Sequence, residues 1–366
     1  MGLIEIFFHK KALESLPIRI HVNGTRGKSS VTRLIAAGLR ESGFNTYAKT
    51  TGTTPRIINN QGRDIEIHRL RTASIGEQIK LMRYFAKRKP DAIVVECMAV
   101  NPQYQWVSEQ KIVKSTLSVI TNVRPDHLDE MGTTTEEIAY SLSNTIPYDS
   151  VCITSENEVL EPLESVAIKR NSKILKSNSK DISSEYINAF PFIEHPENLS
   201  LALKVCLSLG ASKKNVLDGM KKTIPDPGAL FIWNLNYKNN SSAFISGFAA
   251  NDPHSTKMVW NLINSRYNGK SCIFLNTRDD RRYRTIQLID LVLKDIKPDT
   301  FIVRANNIDK IISKYDSTVN IVKFVMDDKP QSVVDLIIEM NDYHILGIGN
   351  IVGWGEEFIK KLKDYS

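Results

Sequence analysis

The chain has 366 residues, 42% of them hydrophobic and 24% charged, a length that fits two ordinary domains and a composition that fits a globular fold throughout. A formal net charge of +7 favours an anionic partner such as a nucleotide, a polyanion or an acidic lipid, whereas a nucleic acid is not expected, because Lys87-Arg88-Lys89 and Arg281-Arg282 lack interleaved aromatic residues and stand near no recognised reading motif. The four cysteines lie far apart without a C-x-x-C pair, which indicates neither a disulfide framework nor a structural zinc site and suits a reducing cytoplasm.

The apolar opening Met1 to Phe8, followed by His9-Lys10-Lys11, has two readings, contact with a membrane surface or packing on the domain, and packing is the expectation. No stretch approaches the ~20 apolar residues that cross a bilayer. From Ile18 on, β-branched runs alternate with amphipathic segments, the rhythm of strand-helix-strand units and a mainly parallel sheet. Strands are predicted at residues 19–22, 92–95, 117–121 and 151–154. Helices are predicted at 29–42, stopped by Gly43, at 75–87 ahead of Pro90, and at 198–209 and 213–222. Ile224-Pro225-Asp226-Pro227-Gly228 breaks any helix and marks a boundary, giving domains 1–223 and 224–366. Beyond it, strands near 243–248, 271–275, 300–303, 319–324 and 344–347 repeat the alternation, so the second half reads as a smaller Rossmann-like domain. The fold class is α/β.

The strongest local signal is Val22-Asn23-Gly24-Thr25-Arg26-Gly27-Lys28-Ser29-Ser30, placed between a predicted strand and a predicted helix. Glycines let the backbone N–H groups converge, the helix N-terminus adds partial positive charge, Lys28 reaches β- and γ-phosphates, and Ser29 holds Mg²⁺ through its hydroxyl. Val22 stands where the usual phosphate-loop pattern has its first glycine; the spacing is G-T-x-G-K-S, and the competing reading is a turn with no ligand. Two other strand tips carry polar residues, and ligands of parallel sheets gather at such tips. One ends in Glu96. The other runs into Thr121-Asn122-Val123-Arg124-Pro125-Asp126-His127-Leu128-Asp129. Glu96 and a member of the Asp/His group are candidate metal ligands beside ATP, against solvated or helix-capping roles for each. His127 sits badly with Mg²⁺ by its chemistry alone, since that ion prefers oxygen.

Together these motifs resemble the Mur ligase superfamily, whose hallmark is G-T-x-G-K-[ST], then a strand-end glutamate, then T-N-x-x-x-D-H-x-D. The chain is most similar to the ligase subunits of poly-γ-glutamate synthases of capsule biosynthesis, through Lys49-Thr50-Thr51-Gly52-Thr53, Ile75-Gly76-Glu77-Gln78, the run from Glu96 to Pro102, Pro225-Asp226-Pro227-Gly228, Gly247 to Asp252, and Gly347-Ile348-Gly349-Asn350. The resemblance implies a Mur-ligase-like ATP-binding central domain, with a mainly parallel sheet, and a smaller Rossmann-like C-terminal domain. It implies ATP and Mg²⁺ as cofactors, Lys28, Glu96 and His127 as catalytic residues, and Ser29, Glu96 and His127 as the metal set. Gly24, Thr25, Arg26, Gly27, Lys28, Ser29, Ser30, Asn122 and Asn198 would bind ATP, with Asn251 and Asp252 approaching the nucleotide from the second domain.

The implied reaction is ATP-dependent polymerisation of glutamate through γ-linked amides by way of an acyl phosphate, with glutamate and an acidic polyglutamate chain as substrates. Arg56, Arg69, Arg71, Arg278, Arg281 and Arg284 are candidates to hold that chain, each against the plainer role of a surface ion pair. Only 23 residues precede Gly24, too few for the UDP-sugar domain of peptidoglycan ligases, so a UDP-linked substrate is not expected. The membrane-spanning segment usual in capsule ligases is missing, which implies a cytoplasmic protein held at the inner face of the membrane by integral-membrane subunits. Phe231 follows the interdomain turn where many relatives place an arginine, and the carbamoylated lysine of some relatives is not identifiable. Two rival readings stay open: a ligase adding glutamate to a small acceptor, as folylpolyglutamate synthases do, and a phosphate-loop ATPase subunit that forms no bond.

Overall fold

The structure is a computed structural model and describes residues 3–51, 55–67, 76–188, 190, 192, 194–225, 230–248, 252–264, 266–315 and 318–366. The chain forms two compact units, Met1–Pro227 and Gly228–Ser366. In the first, eight strands share one sheet: β1 (Ile18–Asn23), β2 (Thr46–Thr50), β3 (Arg56–Ile58), β4 (Asp64–Glu66), β5 (Ala92–Glu96), β6 (Leu117–Ile120), β7 (Val151–Thr154) and β8 (Lys173–Lys176). Their order is β4-β3-β2-β5-β1-β6-β7-β8. The run from β2 to β8 is parallel, and the β3–β4 hairpin adds an antiparallel edge.

Register places the candidate residues side by side. Val22 pairs with Glu96 across β1 and β5, and Asn23 pairs with Ile120 across β1 and β6. The loop after β1 therefore leaves the sheet between the tip carrying Glu96 and the tip leading into Thr121-Asn122. This is the crevice at the carboxyl ends of parallel strands where an open α/β sheet takes its ligands.

Helices cover both faces of this sheet. Helix α1 (Leu3–Glu14) and a later helix, α3 (Gly76–Ala86), lie on one side, where Leu13, Leu16, Met82 and Phe85 join Ile93 and Val95 of β5 in a buried cluster. On the other, α2 (Lys28–Glu41) is buried from Val31 to Leu39 without interruption, because the sheet covers one flank and helices Pro196–Ser208 and Lys213–Lys221 the other. The buried run includes Arg33, whose guanidinium makes two 2.9 Å bonds to Asp64 of β4 and one of 3.1 Å to the Ile224 carbonyl. Fork-to-fork pairing of this kind satisfies a buried cation.

The second unit has six strands: β9 (Phe231–Tyr237), β10 (Asn240–Ser246), β11 (Lys270–Asn276), β12 (Thr300–Arg304), β13 (Asn320–Phe324) and β14 (Tyr343–Gly349). Their order is β13-β12-β11-β14-β10-β9, parallel except for β9. Both units are α/β with mainly parallel sheets. Sequence patterning missed β2, the β3–β4 hairpin, β8 and β9, and it placed the β10 strand several residues too late.

The N-terminal segment divides in a way that neither of its two readings foresaw. His9, Ala12 and Leu13 of α1 are buried, with His9 Nε2 2.8 Å from the Ile112 carbonyl. Ile4, Ile6, Phe7 and Phe8 are exposed. The expected packing holds for one face of the helix only.

Candidate functional site

The loop after β1 needs glycine at two points. Gly24 has φ 130° and Gly27 φ 79°, both in the left-handed region. A Cβ on Gly24 would collide with the Thr121 hydroxyl, and one on Gly27 would lie 2.7 Å from Asn198 Oδ1. Gly27 is the N-cap of α2 and supplies no side-chain bond to its first turn, so the N–H groups there are left for a ligand, and a helix start of this kind attracts anions.

Thr121 and Asn122 strap the loop in place. The Thr121 hydroxyl donates to the Arg26 carbonyl at 2.6 Å, and Asn122 Nδ2 donates to the same oxygen at 3.1 Å. Asn122 Oδ1 accepts from the Arg26 N–H at 3.0 Å and the Thr25 hydroxyl at 2.7 Å. Asn122, read as a nucleotide contact, thus acts on the loop itself. Asn198 does likewise, packing on Gly27 while its Nδ2 donates to Glu194 Oε1 at 2.7 Å. Arg26 reaches Asp126 at 3.6 Å, and Ser30 sits half-buried in the first turn of α2.

Lys28 curls into the turn, donating to the Gly24 carbonyl at 2.7 Å and the Thr25 carbonyl at 3.2 Å. An ammonium carries three donors, so these bonds hold it at the loop with capacity for one more acceptor. Beside it the Ser29 hydroxyl donates to Glu96 Oε2 at 2.9 Å, and the Thr51 N–H donates to the same oxygen at 2.7 Å. Glu96 is buried. A hydroxyl and a carboxylate joined at a strand tip are hard oxygen donors, which suit Mg²⁺ or Mn²⁺.

His127 stands in the loop after β6, at the N-cap of helix Leu128–Met131. It has a left-handed backbone, φ 45°, its side chain is 55% exposed, and its Nε2 lies 3.9 Å from Asp126 Oδ1. Among the described residues no three His, Cys, Asp or Glu side chains form a metal cluster. Arg56 is engaged as an ion pair, with Nε 3.6 Å from Asp64 Oδ2. Arg69, Arg71 and Asn251 lie outside the described residues. Asp252 caps helix Pro253–Asn264, accepting from the Ser255 N–H at 2.9 Å. In the second unit, Arg278 and Arg282 line a 250 Å³ cleft at the ends of β11 and β12 together with Thr277 and Asn306. Arg281 and Arg284 are not among its walls, while Arg282, which sequence reading passed over, is.

Beneath the loop lies a buried polar layer with no sequence motif to announce it. Asn23 Nδ2 donates to Gln105 Oε1 at 2.8 Å, and Gln105 Nε2 donates to the Val100 carbonyl at 2.7 Å and to Ser141 Oγ at 3.2 Å. Gln105 belongs to α4 (Pro102–Val107). Next to it His21 Nδ1 lies 2.7 Å from Glu109 Oε2, both side chains fully buried. Burial alone pulls the His21 pKa down; the neighbouring Cys97 and the Glu109 carboxylate more than reverse this and lift it to about 9. Glu156 steadies the loop after β6, accepting from the Val123 N–H at 2.7 Å and from Arg124 at 3.1 Å. Burial opposes its ionisation, but these bonds and the Glu158 and Val159 amides hold its pKa below the usual carboxylate value. Lys49, fully buried at the end of β2, lies 3.8 Å from Glu77 Oε1.

Comparison with known proteins gives the family. The Mur ligase middle-domain family matches residues 22–209, and the poly-gamma-glutamate synthase CapB C-terminal domain family matches residues 232–365. The chain belongs to the Mur ligase family of ATP-dependent amide ligases, in its CapB branch. It is 36% identical to the PGA synthase CapB of Bacillus subtilis (strain 168), over 100% of this chain and 95% of that protein. It is 34% identical to the capsule biosynthesis protein CapB of Bacillus anthracis, over 99% of this chain and 80% of that one. Among solved structures, E. coli FolC in complex with ADP aligns with a TM-score of 0.74 at 14% identity, covering 100% of this chain and 95% of that chain. The bifunctional folylpolyglutamate synthase/dihydrofolate synthase of Yersinia pestis, complexed with AMPPNP and Mn ion, aligns at 0.72 and 15% identity, covering 99% and 93%. At such identity these two show a shared fold.

Proposed function

We propose that this ligase polymerises glutamate through γ-linked amides, activating a carboxylate with ATP as an acyl phosphate. A carboxylate resists an amine because its charge repels the nucleophile and oxide is a poor leaving group; phosphorylation removes both obstacles. The α2 N–H groups and Lys28 would bind the β- and γ-phosphates and offset the charge on the transferring phosphoryl group, so catalysis rests on position and electrostatics. Ser29 and Glu96 would hold Mg²⁺, which when bound neutralises phosphate charge. An incoming glutamate amine then attacks the acyl carbon and phosphate leaves.

The observation that carries this reading is the Ser29–Glu96 bond at the mouth of a loop with two left-handed glycines. Relatedness to proteins named PGA synthase CapB and capsule biosynthesis protein CapB supports glutamate as substrate. Arg278 and Arg282 in the second unit's cleft are suited to the carboxylates of glutamate or its polymer. Function beside integral-membrane subunits at the cytoplasmic face is part of the same proposal. The purified protein, with and without membrane partners, is to be given ATP, Mg²⁺ and labelled glutamate. ADP and an acceptor-independent γ-amide polymer are expected. Single additions to a folate-like acceptor would favour the small-acceptor ligase, and ATP turnover indifferent to every amino acid would favour the ATPase reading.

A further inference from the structure

In the second unit the carboxyl ends of the parallel strands are tied together by one buried cation. Arg304, the last residue of β12, is 4% exposed. Its Nη1 donates to Asn276 Oδ1 at 3.0 Å, and its Nη2 donates to the Met326 carbonyl. Its Cζ lies 4.2 Å from the centroid of the Trp354 ring, a cation–π contact. The bonds continue outward from these partners. Asn276 Nδ2 donates to the Asn350 carbonyl at 2.6 Å, and the Asn350 N–H returns a bond of 2.8 Å to the Asn276 carbonyl. Trp354 Nε1 donates to the Asp328 carbonyl at 2.7 Å. The tips of β11, β12 and β14 and the loop after β13 thus meet at one side chain. Gly349 closes the same network: its φ is 94°, and a Cβ there would collide with the Asn276 carbonyl oxygen.

Stability alone is a poor reason for a cation in this place. Burying a charge costs roughly several kcal/mol before its partners repay it. The partners here are two neutral oxygens and a ring, and Arg304 Nε has none. What the residue does reach is the cleft lined by Thr277, Arg278, Asp279, Arg282 and Asn306. The Arg304 carbonyl accepts from the Thr277 N–H at 3.2 Å and from the Thr277 hydroxyl at 2.9 Å. Asn306, two residues further on, donates from Nδ2 to Asp279 Oδ2 at 3.0 Å. Burial lowers the Arg304 pKa, and Asp328, Asp279 and Asp327 oppose that fall. The acid in the cleft wall is therefore offset from beneath by an arginine, a group that keeps its charge inside proteins.

We propose that Arg304 is a positioning residue for the amino-acid substrate, fixing the tips of β11 and β12 so that Arg278 and Arg282 meet the substrate's carboxylates. It touches no substrate itself. It acts on one wall of the cleft through Asn276 and Thr277 and on the other through Asn306. The inference rests on the reading of this cleft as the seat of glutamate carboxylates.

Steady-state kinetics of the full chain in the assay above, with glutamate and ATP varied in turn, tests the role. Arg304→Met should raise the KM for glutamate at least about tenfold and leave the KM for ATP unchanged. Arg304→Lys keeps the charge but neither forks nor stacks, and should fall between Met and the wild type. Trp354→Phe keeps the ring and loses the bond to Asp328, so a smaller rise in the same KM is expected; it carries the test where the Arg304 variants fail to fold. Arg282→Gln probes the cleft directly and should raise the glutamate KM by itself. A raised KM in Arg282→Gln beside wild-type values in the Arg304 and Trp354 variants would overturn the role of Arg304 and leave the cleft reading standing. A glutamate KM unmoved in every variant would overturn both. Equal rises in both KM values with a lowered Tm would also overturn the proposal, because Arg304 would then serve the fold alone.

Discussion

Lys28, Ser29 and Glu96 are legible in the sequence because each is tied to a backbone event: a strand tip, a glycine turn, a helix start. The side chains that brace them are not, since a buried Gln or Glu follows no spacing rule; Gln105 and Glu156 become visible only when the chain is folded. Asn122 is marked by its motif, and its bonds to Thr25 and Arg26 are seen only in the fold. Lys28→Ala should lower glutamate-dependent phosphate release by a factor on the order of 10²–10³ with the fold intact by circular dichroism. Gly27→Ala places a Cβ 2.7 Å from Asn198 Oδ1 at φ 79°, and should cost about 1–3 kcal/mol of stability with a raised KM for ATP. A KM unchanged in that variant would show that the loop's shape does not govern nucleotide binding.

Among the elements, β1, β5, β6 and β7 announced themselves as apolar β-branched runs. Thr46–Thr50 did not, although every residue of β2 is buried, because Thr46, Lys49 and Thr50 make the strand look like a polar loop. A lysine is brought inside by the acid of a neighbouring helix, a tertiary fact that local patterning cannot see. The same limit hid the polar layer under β1. Gln105→Leu removes one partner each from Asn23, which keeps Thr145, from the Val100 carbonyl and from Ser141, and should destabilise the protein by on the order of 2–4 kcal/mol in urea unfolding. Because His21 titrates near 9 when folded and near 6.5 when unfolded, its contribution is complete below about pH 6.5 and disappears as pH rises through 9. Unfolding free energy should therefore fall across that alkaline window by up to about 3 kcal/mol, and His21→Gln should flatten the slope.

For the whole molecule, the α/β class followed from the periodicity of β-branched runs and amphipathic segments. The basic net charge pointed to anionic partners without choosing one; the phosphate loop and the arginine-bearing cleft of the second unit are where the proposed reaction would take them. The acyl phosphate is what unites these features into a single reaction. It can be followed with an oligoglutamate acceptor whose carboxylates carry ¹⁸O, incubated with ATP, Mg²⁺ and unlabelled glutamate, by mass spectrometry of the phosphate released. One ¹⁸O should move into phosphate for each amide formed, because the oxygen that attacks the γ-phosphorus leaves with it. Amide product accompanied by phosphate free of the label would contradict activation through an acyl phosphate.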